Sequence, residues 1–311
     1  MSERRSDGMS TGMSDEALRR MASIVALMAA LVLVVLKVWA WLTTGSISLL
    51  TSAADGLVDV LASSVTFAGV RYAARPADHS HRYGHGKAEA VAAFVQALLL
   101  AGAAVALGVE SIQRLFMPQP LNQTGFGIWV IVASSLAAVA LVGMQTFVVK
   151  RTGSTAIAAD RAHYVTDVAV NMAVLIALLL ERFLGWTQAD AVGALAISVY
   201  MLWNAKGMAA HALVQLLDRE LDASERTRIE ATLRSCDGVQ AVHDIRTRDG
   251  GDRIFVDFHM EVDGALTVLQ GHTIADEAEK AVERLFPRAD VTAHVEPAGI
   301  DDERLDDLVR E

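Results

Sequence analysis

The chain has 311 residues, of which 53% are hydrophobic, and a mean hydropathy of +0.35. This composition is too apolar for an ordinary soluble protein and leaves room for a bundle of spanning helices and a small soluble domain. The single cysteine, Cys236, excludes a disulfide framework and a thiolate metal cluster within one chain. The net charge of −10 is concentrated after residue 218, where 12 Lys/Arg stand against 23 Asp/Glu. This acidic part argues against nucleic acid as a partner, and either collects cations or is a merely solvated surface.

Residues 1–16 are polar and rich in Met, Ser and Gly, which predicts a disordered N-terminal tail rather than a signal peptide. Residues 17–217 contain six apolar segments, each with roughly the 20 residues that a helix needs to cross the hydrocarbon of a bilayer. The predicted bounds of these segments are 19–42, 48–73, 88–115, 126–150, 156–183 and 189–216.

Basic residues flank these segments unevenly. They precede the first segment, lie between the second and third and between the fourth and fifth, and follow the sixth, whereas the other connections hold little beyond Arg114 and Arg182. Because an excess of Lys and Arg marks the cytoplasmic side, both termini are predicted to be cytoplasmic. The flanking residues are Arg4, Arg5, Arg19, Arg20, Arg71, Arg75, Arg82, Lys87, Lys150, Arg151, Arg161, Lys206 and Arg219.

Residues 218–298 are predicted to form a small two-layer α+β domain with the order αββαβ. Ser224 is the expected N-cap of the first helix, and Asp249-Gly250-Gly251 is a hairpin signal between the first two strands. Residues 299–311 are predicted to be an acidic, frayed tail. The predicted elements are helix 224–233, strands 241–248 and 253–262, amphipathic helix 267–285 and strand 290–295. The second strand alternates, with an apolar face of Ile254, Val256, Phe258 and Met260.

Four ionisable residues lie within two of the apolar segments. Asp55 and Asp59 form one i,i+4 pair and His163 and Asp167 form another, so each pair points to one side of its helix. Ionisable groups at membrane depth are costly and usually mark an ion path or a proton relay. Carboxylate and imidazole suit zinc, iron(II), manganese or cadmium, which predicts a divalent-metal site. The alternative is that these groups hydrogen-bond within the bundle without a metal ion.

A second candidate is the loop of residues 76–87, which holds Asp78 and three histidines, His79, His81 and His85, within eight residues, together with two glycines. Spacing alone does not distinguish a flexible metal site from a polar loop whose histidines bind no metal ion.

A third candidate lies in the acidic domain, where histidines occur on or beside predicted strands and at a helix start. Composition does not place these side chains together, and each could be an ordinary surface or core histidine. They are His243, His259, His272 and His294, with Glu296 beside the last.

With these motifs the chain resembles the cation diffusion facilitator family, in particular its bacterial ferrous-iron and zinc efflux branch. The resemblance runs from about residue 18 to residue 298. It implies a homodimeric metal/proton antiporter with six membrane helices and a metallochaperone-like cytoplasmic domain. The motifs are Ala54-Asp55-Gly56-Leu57-Val58-Asp59, Gly84-His85-Gly86-Lys87-Ala88-Glu89, His163-Tyr164-Val165-Thr166-Asp167 and His243-Asp244-Ile245-Arg246-Thr247-Arg248.

The resemblance also implies which residues hold the ions. It places the transport site on the second and fifth helices, at Asp55, Asp59, His163 and Asp167. It places loop ligands at Asp78, His81 and His85, and cytoplasmic ligands at His243, His259, His272, His294 and Glu296, the last standing where close relatives carry aspartate. It implies that Lys87 and Asp218 form a charge pair that holds the dimer together near the membrane surface.

The predicted function is therefore efflux of Zn²⁺ or Fe²⁺, and also Cd²⁺, from the cytoplasm across the bacterial inner membrane, by alternating access and in exchange for protons. Metal binding needs neutral imidazole and ionised carboxylates, so an arriving ion expels protons. His163 is the predicted carrier of the coupled proton.

The partners expected beside the protons are a second copy of the chain and the lipid bilayer. A regulatory metal ion in the acidic domain is expected to tighten the dimer, and no organic cofactor or enzymatic activity is expected. The alternatives are a membrane metal sensor that binds without transport, a manganese-preferring exporter, or a membrane metalloprotease. The sequence has no His-Glu-x-x-His motif, which argues against the protease.

Overall fold

The computed structural model describes residues 14–44, 47–117, 125–186, 188–299 and 304–305. It divides into two compact units, Met1–Ala74 with Ala92–Ala209, and Arg75–Val91 with Ala210–Glu311. Most of the predicted N-terminal tail and most of the predicted acidic tail lie outside the described residues.

The predicted apolar segments all become helices. Each predicted segment lies within one long helix, and helix α1 begins earlier than predicted, at Asp15, where the Ser14 hydroxyl accepts a hydrogen bond from the Ala17 backbone N–H at 3.2 Å. The long helices of the described residues are α1 Asp15–Thr44, α2 Ile47–Ala73, α3 Ala88–Phe116, α4 Gly125–Thr152, α5 Thr155–Leu184 and α6 Ala189–Leu216.

Three stretches of the described residues are long and apolar enough to cross a membrane by themselves. They are Asp15–Trp39, Ala88–Phe116 and Val132–Thr152, with mean hydropathies of 2.6, 2.3 and 1.9. Helix α5 carries Asp160, His163 and Asp167, which lower its hydropathy. These ionisable residues therefore weaken the apolar signal of the helix on which they lie.

Small residues allow the helices of the first unit to approach closely. Helix α1 buries Ala22, Ala26, Ala30 and Val34 at four-residue spacing, which is one face of the helix. On α2, a Cβ added to Gly56 would lie 2.7 Å from Val34 Cγ2, closer than van der Waals contact allows. Membrane helices commonly use small residues in this way, because packing rather than the hydrophobic effect holds them together.

The soluble domain has the predicted order αββαβ. Strands β1 and β2 are antiparallel, β2 and β3 are parallel, and the sheet order is β1-β2-β3. The prediction of Ser224 as N-cap is wrong: α7 begins at Ala223, so Asp222 occupies the cap position and Ser224 lies inside the first turn. The elements are α7 Ala223–Arg234, β1 Ala241–Asp249, β2 Ile254–Val262, α8 Val268–Leu285 and β3 Ala289–Pro297.

The core of this domain follows the predicted alternation of β2. Val256, Phe258 and Met260 are buried against α7 and α8, while Asp257 between them is exposed. Phe255 departs from the pattern, because it is buried on the opposite face of the strand. On that face it packs outside the core, against Tyr83 of the loop before α3.

We expect Phe258→Ala to destabilise the soluble domain by about 3–5 kcal/mol, because Phe258 is only 1% exposed and truncation leaves a cavity in the core. Hydrogen–deuterium exchange of the β2 amides measures the loss. The matched control is Leu269→Ala on α8, where the side chain is 73% exposed and truncation should change little. Unchanged β2 protection in the Phe258 variant would contradict this description of the core.

Candidate metal centres

Metal-ligating side chains converge at three places in the described residues. In each group, one ligand atom per residue lies within 4.8 Å of the others. The groups are Asp59 with His163 and Asp167, Asp78 with His81 and His85, and His243 with His259 and Glu296.

The first group lies in the helical unit, where α2 contributes Asp59 and α5 contributes the other two residues. His163 Nε2 lies 3.0 Å from Asp59 Oδ1 and 3.8 Å from Asp167 Oδ2. The imidazole is buried, and its Nδ1 has no hydrogen-bond partner among the described residues. A buried ring nitrogen between two carboxylates is a donor set that suits a borderline divalent cation.

Asp55 does not join this group, although it was predicted to be the fourth ligand. It lies one turn before Asp59 on α2, and its side chain is exposed. One helical turn rises about 5.4 Å, so the two aspartates lie at different heights beside His163. The structure thus brings together three of the four residues predicted for this site.

Asp160 is a buried carboxylate that the sequence prediction missed. It is 1% exposed and accepts hydrogen bonds from Gln145 Nε2 at 2.7 Å and from Gln96 Nε2 and Ser63 Oγ, both at 3.4 Å. These residues lie on α5, α4, α3 and α2, so one carboxylate joins four helices. Such a polar network rigidifies the packing around it, here three residues before His163. The signal that could have found it is the i,i+3 spacing of Asp160 and His163, which places both on one side of the helix.

The second group lies on the loop before α3 and is built around Asp78. Its Oδ1 accepts hydrogen bonds from the backbone N–H of His81 at 2.7 Å and of Ser80 at 2.8 Å. These donors, His81 above all, hold the pKa of the Asp78 carboxyl below its usual value. Asp78 Oδ2 lies 3.4 Å from His85 Nε2, and the His81 and His85 rings are 4.6 Å apart. An ionised carboxylate therefore faces two imidazoles.

This loop is attached to the β1–β2 hairpin. The Tyr83 ring meets the edge of Phe255 at 5.3 Å, and the Arg248 guanidinium lies 4.6 Å from the Tyr83 centroid and 4.7 Å from that of Phe255. Gly86 packs so tightly that an added Cβ would collide with the Gly250 carbonyl. The contact explains why Phe255 is buried on the face of β2 opposite the core.

The predicted charge pair also lies in this unit. Lys87 Nζ donates to Asp218 Oδ1 at 2.7 Å within a single chain. Arg248 lies 3.9 Å from the other oxygen of the same carboxylate. The role of this pair in holding a dimer together stays a prediction.

The third group lies in a row across the sheet. His243, His259 and His294 occupy paired positions on β1, β2 and β3, which places their rings side by side, 5.3 and 4.7 Å apart. Glu296 Oε1 lies 2.7 Å from His259 Nδ1, and its Oε2 lies 3.2 Å from His243 Nε2. One carboxylate thus connects two imidazoles.

The other predicted ligands of this domain are arranged differently. His294 is 66% exposed and lies 3.4 Å from Glu296 Oε1, at the edge of the group. His272 is separate: it lies on α8, is 68% exposed, and faces Asp276 at 3.7 Å. Sequence reasoning missed Glu261, which lies 3.8 Å from His243 Nε2 and accepts a hydrogen bond from Arg304 at 2.7 Å.

Two family models match this chain. The cation efflux transmembrane domain matches residues 23–217, and the cation efflux protein cytoplasmic domain matches residues 221–298.

Curated relatives match over most of their length. The cation-efflux pump FieF of Salmonella arizonae is 42% identical over 279 residues, which is 90% of this chain and 93% of the relative. FieF of Escherichia fergusonii matches with the same identity and coverage. Among solved structures, a zinc form of CzrB is 38% identical and covers 28% of this chain and 99% of its own, with a TM-score of 0.26.

At the loop group, we expect Asp78→Asn to weaken Zn²⁺ binding by at least about tenfold, because the charged ligand is lost. Calorimetric titration in a His163→Ala, His243→Ala background measures this group without the other two. The matched control is Asp263→Asn, which alters a similar exposed turn, where Asp263 Oδ1 accepts from the Ala265 N–H at 2.9 Å. If both variants bound Zn²⁺ equally, Asp78 would not be a ligand.

Proposed function

The chain belongs to the cation efflux family, also called the cation diffusion facilitators, and we propose that it exports Zn²⁺ or Fe²⁺, and also Cd²⁺, in exchange for protons. It is an integral membrane protein whose activity is efflux of divalent metal cations, and a transporter is not an enzyme class. We assign residues 17–217 to the membrane domain and 218–298 to the cytoplasmic domain of a bacterial inner-membrane protein, with both termini in the cytoplasm.

The observation that carries the proposal is the meeting of Asp59, His163 and Asp167 inside the helical unit. A buried imidazole between two carboxylates supplies nitrogen and oxygen ligands, which zinc, iron(II) and cadmium accept. Asp55, one turn along α2, supplies the fourth ligand when its side chain turns toward His163. The shell then has the four ligands of a tetrahedral site, two from each of two helices.

Proton exchange follows from the contacts of His163. Its Nε2 is hydrogen-bonded to Asp59 at 3.0 Å, and a metal ion and a proton compete for the same nitrogen. An ion that arrives from the cytoplasm therefore displaces a proton, and protons from the outer side displace the ion when the site opens outward. This sequence is alternating access coupled to antiport.

The cytoplasmic domain supports a regulatory role. The residues of the third group fit a metal ion, because the His243 ring is buried, its Nδ1 has no hydrogen-bond partner among the described residues, and its Nε2 faces the Glu296 carboxylate at 3.2 Å. His243, His259 and Glu296 would hold the ion, and His294 lies at its edge. The cytoplasmic-domain family match supports a homodimer, which metal bound here tightens when cytoplasmic metal rises.

Reconstituted into proteoliposomes under a pH gradient, the wild type should take up Zn²⁺ or Fe²⁺, and Asp59→Asn should abolish the flux, because the site loses a charged ligand. Metal flux and lumenal pH are measured together. The matched control is Glu16→Gln at the start of α1, where the carboxylate is exposed and pairs with Arg20 one turn along the same helix. Tight binding without flux in the wild type would contradict transport and favour a sensor.

For the cytoplasmic domain, His243→Ala should remove most of the tightening of the dimer by Zn²⁺, by about tenfold in the dimer dissociation constant. Analytical ultracentrifugation with and without Zn²⁺ measures it. His272→Ala is the matched control, because His272 lies outside the group and is exposed. Equal losses in the two variants would show that His272 is a ligand as well, contrary to its position in this chain.

A further inference from the structure

Lys37 is a lone cation in the apolar run of α1. The surrounding sequence is Val34-Val35-Leu36-Lys37-Val38-Trp39, and the lysine is half-buried. A charged side chain within a spanning helix is costly, and one that is kept there usually faces the interior of the bundle and has an anionic partner. None of the functions assigned above uses this residue.

The connection between α1 and α2 places Lys37 level with Asp55, one helical turn from Asp59. Helix α1 ends at Thr44, seven residues after Lys37, and α2 begins at Ile47, eight residues before Asp55. Two helices joined by so short a connection run side by side in opposite directions, so positions equally far from the connection lie at the same height.

Close packing brings the lysine against α2 beside Asp55. A Cβ added to Gly56 would lie 3.6 Å from Lys37 Nζ and 3.7 Å from its Cδ. The bare backbone at Gly56 therefore leaves space for the lysine stem and its ammonium. From there the positive charge acts on the carboxylates of both Asp55 and Asp167.

We infer that Lys37 is a built-in counter-cation of the transport site, which compensates one ligand carboxylate and keeps the bound divalent ion releasable. The inference rests on the proposed function of that site. Asp55, Asp59 and Asp167 together carry three negative charges; a divalent ion balances two of them, and the ammonium balances the third. In a medium of low dielectric constant this balance matters, because an excess charge would hold the ion more tightly.

The prediction is that Lys37→Gln binds Zn²⁺ more tightly, on the order of tenfold, because repulsion between the ammonium and the ion is removed. Release then becomes slower, so the maximal transport rate and KM should both fall. Lys37→Arg keeps the charge and should behave as the wild type. The matched control is Lys150→Gln, an exposed lysine in the last turn of α4, which should leave binding unchanged.

Equilibrium Zn²⁺ binding is measured by calorimetry in a His85→Ala, His243→Ala background, and transport in proteoliposomes. In an Asp55→Asn background, where one of the three negative charges is already removed, adding Lys37→Gln should raise the Zn²⁺ affinity less than it does in the wild type; the reference is Asp55→Asn alone, because that change also removes a proposed ligand. If the glutamine variant does not purify, Lys37→Met keeps the length of the stem and provides the same test.

Two results separate this inference from the proposed function. Binding that survives Asp59→Asn would overturn the transport site itself, and with it the role of Lys37. Binding that is lost in Asp59→Asn but is unchanged or weaker in folded Lys37→Gln would overturn the counter-cation alone.

Discussion

The free energy of placing ionisable groups among apolar helices is the constraint on which the rest of this structure depends. His163 and Asp59 lie 3.0 Å apart, and such pairing lowers the cost of ionisable groups among apolar helices. Asp160 meets the same constraint differently, by accepting hydrogen bonds from side chains on three neighbouring helices. Small residues such as Gly56 allow the close approach that this pairing needs. In the helical unit, close packing and the pairing of ionisable groups therefore depend on each other.

Imidazole and carboxylate groups come together in three different environments in this protein, which differ in burial and in the contacts that hold the side chains. The imidazole of His163 is buried between helices, where solvent is excluded and an ion has to replace existing contacts. Asp78 is exposed on a loop, where hydrogen bonds, that of the His81 backbone N–H above all, lower the pKa of its carboxyl. His259 is part of a rigid row across a sheet. The three groups therefore differ in burial and in what positions their side chains: packed helices, backbone N–H donors, or strand pairing.

Much of this arrangement was predictable because it depends on short-range periodicity. Six apolar segments of spanning length gave the helices, since backbone groups in a bilayer have to be satisfied within one segment. The i,i+4 spacing of His163 and Asp167 gave their common helix face, and the alternation along β2 gave Val256, Phe258 and Met260 as core. The N-cap of α7 was misplaced by two residues, because several residue types suit the start of a helix and the sequence does not choose among them.

Sequence by itself determined the order of the elements, the faces of the helices and the residue types able to bind metal. Only the tertiary structure decided which of those residues meet. It left Asp55 and His272 outside their groups, brought Asp160 and Glu261 next to candidate ligands, and turned Phe255 toward Tyr83. The reason is physical: side-chain direction along one element follows from local geometry, whereas the distance between two elements depends on how every other side chain between them packs.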